Sequence, residues 1–98
     1  MTTRTSASLK HAFKRFVELV KPIEDVHHVI AGDDGEPRIY TFITKMDEPI
    51  MFEVFHAEYR VLEEFPDLPI DFHVRFLEGK PLESFLRPAS ALHYSRKE

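Results

Sequence analysis

The chain has no cysteine, no tryptophan and only three glycines among 98 residues. Without cysteine there is no disulfide framework, no thiol nucleophile and no thiolate-held zinc or iron–sulfur centre, and the composition fits a reducing compartment. Gly32, Gly35 and Gly79 stand apart from one another. That excludes a P-loop and a dinucleotide-binding fingerprint, which need clustered glycines so that backbone can approach phosphate. No Gly-x-Ser-x-Gly elbow occurs, and Ser84, Ser90 and Ser95 fall in the tail, so no hydrolytic nucleophile is set up. No apolar run approaches the roughly 20 residues of a membrane span, so a soluble, cytoplasmic chain is expected.

What is present is ordinary globular material: 43% hydrophobic residues, with nine phenylalanines. That supports a single small domain over 1–98, with residues 1–7 and 96–98 expected to be flexible. Charge is unevenly spread. Residues 1–21 carry Arg4, Lys10, Lys14, Arg15 and Lys21 against Glu18, whereas residues 22–98 carry 8 basic and 16 acidic residues. The opening "MTTRTSASLKHAFKRFVELVK" has the basic, Ser/Thr-rich, amphipathic character of a mitochondrial transit peptide. The reading adopted is a first helix docked on an acidic body. Scattered positive charge on an otherwise acidic chain makes a thin footprint for nucleic acid, which is not expected as a partner.

Periodicity gives the order of elements. Leu9, Phe13, Phe16, Val17 and Val20 share one helical face, which predicts a helix from an N-cap at Ser6 or Ser8 to about Lys21, stopped by Pro22. "IEDVHHVIAG" predicts a central strand with Val29 and Ala31 on one side and Val26 and Ile30 on the other. "DDGE" predicts a hairpin turn, and a second strand runs from Pro37 to about Met46. Asp47 caps a second helix with Glu48 and Pro49 in its first turn. Its buried stripe is Ile50, Val54, Ala57, Val61 and Phe65, broadened by Met51, Phe55 and Leu62. Glu53, His56, Arg60, Glu63 and Glu64 form its wet face, and Pro66 ends it. In "LPIDFHVRFLEG" the alternation turns Ile70, Phe72, Val74 and Phe76 inward. "LESFL" reads as a short helical turn and "ALHYS" as an edge strand.

An α-β-β-α-β order predicts an α+β two-layer sandwich, with a mixed three- to four-stranded sheet and helices on one face. The crossover through the second helix makes strand three parallel to strand two, and strand one is expected between them, in the order 2-1-3. Apolar residues on both sides of the first two strands then ask for cover on the second face, for which a copy of the chain is the simplest candidate. Tyr40 and Phe42 are the candidate association residues. Lys10, Lys14 and Arg15 are the candidate surface for a polar or anionic partner.

Six histidines bring metal binding into consideration. His28 of strand one beside His73 of strand three, with Asp71 on the same face, makes a donor set of imidazoles and a carboxylate suited to Zn2+. Asp71 and His73 are also an acid–base pair in outline, although same-face strand residues commonly form cross-strand ion pairs. "EVFH", Glu53 to His56, has Glu-x-x-His spacing, but one copy on one helix does not make a di-iron site. Asp33 and Asp34 lack the alternating acids and closing glutamate of a calcium loop.

The succession of a helix, "DVHHV", a hairpin, a strand, a helix ending in "EEFP" and then "IDFHV" resembles the C-terminal cytoplasmic domain of cation diffusion facilitator transporters over about residues 8–76. The resemblance implies a metallochaperone-like fold, a homodimer, and metal ligands that include His73 and either His27 or His28. The chain departs from that family in the strand "RIYTFITKM", which lacks the polar ligand pattern, and in residues 79–98, which have no counterpart. It also looks similar to small uncharacterised bacterial proteins that share a "FPDL…DFHV…G.PLE…" ending, from which no activity follows. Together these readings point to a non-catalytic interaction or regulatory module acting as a homodimer or partner-binding subunit, without cofactor. The alternatives are a Zn-responsive domain using His28, Asp71 and His73, and a small enzyme using the Asp/His pair.

Overall fold

The computed structural model describes residues 7–33, 35–85 and 92–96. It contains α1 (Ala7–Val20), β1 (Val26–Asp33), β2 (Pro37–Ile43), α2 (Glu48–Glu64), β3 (Asp71–Phe76), a 3-10 turn (Leu82–Ser84) and β4 (Leu92–Ser95). The architecture is α+β, with two helices over a mixed four-stranded sheet. No described helix is long and apolar enough to cross a membrane.

The sheet order is β3-β2-β1-β4, with β1 antiparallel to both β2 and β4 and β2 parallel to β3. The parallel pairing agrees with the expected crossover, but the order corrects 2-1-3. The chain returns from α2 to the free edge of β2, because the far edge of β1 is occupied by β4. Residues 92–95 thus form the edge strand that "ALHYS" suggested.

One face of the sheet carries the main core. Leu9, Ala12, Phe16 and Val20 of α1 and Val54, Ala57 and Val61 of α2 pack with Val26, Val29, Ala31, Ile39 and Ile43. Fully buried Phe16, whose ring lies 5.2 Å from Phe72, contributes roughly 2–3 kcal/mol through the apolar area it removes from water. Val26 lies on this face, not on the opposite one with Ile30. The register shift between Val26 and His28 is a β-bulge that re-aims the start of the strand. His27, displaced by the bulge, sets its Nε2 2.8 Å from Thr44 Oγ1.

The second face is partly covered by the chain itself. Beyond β3, Leu77 and Glu78 donate backbone hydrogen bonds to Ile43 and Thr44. Gly79, at φ 82°, then lets the chain turn at little conformational cost. Phe85 follows the 3-10 turn and meets Phe42 edge-on at 5.3 Å, and Phe42 and Ile30 are each 1% exposed. The second face therefore does not need another subunit to bury these two residues.

The C-terminal end is also better anchored than its composition suggests. Arg96 donates its backbone N–H to His27 O, and its guanidinium donates to the carbonyls of Lys21, Ile23 and Val26 at 2.8–2.9 Å. Ala7 is the first described residue of α1, and Ser8 lies inside the helix, so it is not the cap. The expectations for Ser6 as N-cap, for residues 1–6, for residues 97–98 and for part of the "DDGE" turn lie outside the described residues.

Candidate interaction surface

Helix α2 has two apolar faces, and only one of them meets the core. The helix starts where Asp47 Oδ1 accepts the Ile50 N–H at 3.2 Å, with Pro49 in the first turn. Val54, Ala57 and Val61 are buried, flanked by half-buried Ile50 and Phe65. On the solvent side Phe52 is 63%, Phe55 42%, Tyr59 62% and Leu62 38% exposed. Their 3–4–3 spacing in "FEVFHAEYRVL" places them in one stripe along the helix, the a/d geometry of a helix–helix seam. Phe55 and Leu62, expected to widen the buried stripe, belong to this outer one.

Helix α2 is rich in carboxylates, of which exposed Glu48 and Glu63 are placed beside the stripe. Glu48, Glu53, Glu58, Glu63 and Glu64 all lie on α2, against the single guanidinium of Arg60. Glu64 is already engaged. Arg15 of α1 grips it with Nε at 2.9 Å and Nη2 at 3.1 Å, and Arg60 approaches it at 3.6 Å. The hydrogen bond from Arg15 holds the Glu64 carboxyl below its ordinary range, and Glu64 in turn raises the Arg15 pKa. Glu48, Glu53, Glu58 and Glu63 form no ion pair among the described residues. Burial pushes Glu58 from 4.5 to about 7, and its Oε2 accepts no hydrogen bond among the described residues.

The cationic and sheet-face candidates are placed differently. Lys10 and Lys14 are exposed on α1, whereas Arg15 joins α1 to α2 and also contacts Glu18. That is the basic helix docked on acidic body that the charge distribution suggested. Tyr40 is half-buried, stacked on His73 at 4.9 Å and 17° with the Arg75 guanidinium 5.5 Å from its ring centre. Phe42 is enclosed by Phe85 and His28, so its ring is used within the chain.

The proposed metal ligands share a face but are not brought together. His28 pairs with Phe42, while His73 pairs with Tyr40 and Asp71 with Arg38. Strand β2 therefore separates β1 from β3 by two strand spacings, about 9–10 Å, and the Tyr40 and Phe42 rings stand between them. His28 instead sets Nδ1 3.2 Å from His93 Nε2 on β4. His73 Nε2 lies 2.9 Å from Asp71 Oδ2, and Arg38 is 3.8 Å from the same oxygen. The Arg38–Asp71 contact is a cross-strand ion pair of the kind the alternation allows, and the His73–Asp71 contact runs along β3 itself. Among the described residues no three metal-ligating side chains converge.

Sequence reasoning missed Phe52 and Tyr59. The signal that identifies them is a second apolar period, offset from the first, along the same helix. Compared with family models, curated proteins and solved structures, the chain matches none.

Proposed function

We propose that the chain is a small non-catalytic interaction module of the cytoplasm, which captures a protein partner on the solvent side of α2. The observation that carries this reading is the stripe of Phe52, Phe55, Tyr59 and Leu62, held exposed on a helix whose other side is fixed in the core. Taking roughly 200 Å² for each fully exposed large side chain, it offers about 400 Å² of apolar surface. Contiguous apolar patches of that size on a monomer commonly mark binding sites. Aromatic residues suit the role because they bury much area while losing little side-chain entropy.

A paired capture experiment tests the reading. Wild-type protein and the Phe52→Gln/Tyr59→Gln variant are immobilised and exposed to extract of the native host. The substitutions lie on the exposed side of the helix, so the melting temperature should be nearly unchanged while retained partners are lost. Identical retention by both proteins, with both folded, removes α2 as the binding surface.

A further inference from the structure

Building on that reading, we infer that the partner docks as a cationic amphipathic helix, an apolar seam edged by lysine or arginine. Two features of α2 select this occupant over a second copy of the chain. The first is charge. Exposed Glu63 lies along one edge of the stripe, and exposed Glu48 precedes Phe52 by one helical turn. Neither has an ion-pair partner among the described residues. Two copies joined through this face would set acid against acid, whereas a basic helix would supply the missing counter-charges.

The second feature is size. A stable interface between globular partners buries about 800 Å² on each side. The stripe supplies about half of that. A single helix, with its apolar row in the seam and its stems lying over the flanking glutamates, matches such a narrow surface better than a whole domain. The basic residues of this chain's own α1 do not provide that occupant. The apolar face of α1 is buried in the core, and Arg15 is committed to Glu64.

The test uses the full chain and two synthetic three-heptad peptides with leucine at every a and d position. One peptide carries lysine at e and g, and the other carries glutamate. Binding is followed by fluorescence anisotropy at low and physiological salt, and self-association by sedimentation. The lysine peptide should bind at least about tenfold tighter than the glutamate peptide, with the difference shrinking as salt screens the flanks. Glu48→Gln/Glu63→Gln should narrow the difference, and Phe52→Gln/Tyr59→Gln should weaken the lysine peptide at least tenfold. Equal affinity for the two peptides, lost in Phe52→Gln/Tyr59→Gln, overturns the cationic partner and leaves the docking face standing. A dimer at micromolar concentration that Phe52→Gln/Tyr59→Gln dissociates assigns the face to a second copy and overturns the inference. Binding of neither peptide, or binding that the Phe52→Gln/Tyr59→Gln variant does not change, overturns both the inference and the use of α2.

Discussion

Replacing Glu58 with glutamine removes a charge that folding places badly, and its effect should depend on pH in one direction only. The carboxyl titrates at about 7 in the folded chain because burial disfavours its ionised form, against 4.5 for an ordinary glutamate. Below pH 4.5 it is neutral in both folded and unfolded chains and costs nothing. Between 4.5 and 7 the unfolded chain ionises first, so the folded state binds more protons and loses stability as pH rises. Above 7 the deficit is complete and constant. A displacement of that size corresponds to at most about 3 kcal/mol. The carboxyl keeps part of its contact with water, which screens it and brings the expected deficit to about 1–2 kcal/mol. Glutamine keeps the shape and cannot ionise. Urea unfolding at pH 4.5, 6 and 8 should therefore show the variant gaining about 1–2 kcal/mol on the wild type between the lowest and highest pH. Any fixed cost of burying the amide cancels in that comparison. A difference that stays flat over this range, or that moves in favour of the wild type as pH rises, refutes the reasoning.

Two further substitutions examine the two faces of the sheet. Thr41 is fully buried on the helix-covered face, between Val29 and Val74, and its hydroxyl has no hydrogen-bond partner among the described residues. Thr41→Val should raise the unfolding free energy by about 1 kcal/mol by removing an unsatisfied polar group, as read by chemical denaturation. On the opposite face, Phe85→Ala removes the ring that meets Phe42. It should cost about 2 kcal/mol and speed amide exchange along β2, and an unchanged stability would show that Phe85 is not what keeps Phe42 dry.

Much of this fold is legible in the residues because local signals agree with the global arrangement. Asp47 with Glu48 and Pro49 marks the start of α2, and the alternation of Ile70, Phe72, Val74 and Phe76 fixes which side of β3 faces the helices. The sheet order was not legible. Whether β3 returns beside β2 or beyond β1 depends on whether residues 92–95 reach the edge of β1, and a four-residue strand carries little signal of its own. The bulge at His27 escaped for a similar reason, since a one-residue register shift leaves no mark on hydrophobic pattern but exchanges the faces before it. The arrangement of His28, Asp71 and His73 turns on this same point of order. His28 and His73 share a face as expected, and β2 stands between them.

The apolar residues of α2 form two separate stripes, where their periodicity alone reads as one broad stripe. A helix that packs on only one side can bury only one stripe, so a helix carrying two must present the other to solvent. Ile50, Val54, Ala57, Val61 and Phe65 already fill the side against α1 and the sheet, which leaves Phe52, Phe55, Tyr59 and Leu62 outside. Left unguarded, a row of aromatics in a/d spacing would pair with its own copies. The glutamates along α2 oppose such pairing through like-charge repulsion, while Arg15, the basic residue that reaches them from α1, engages only Glu64 at the far end of the helix. Glu48 and Glu63, exposed beside the stripe, are then left to a partner of opposite charge, so the same residues that separate two copies of this chain would select what binds it.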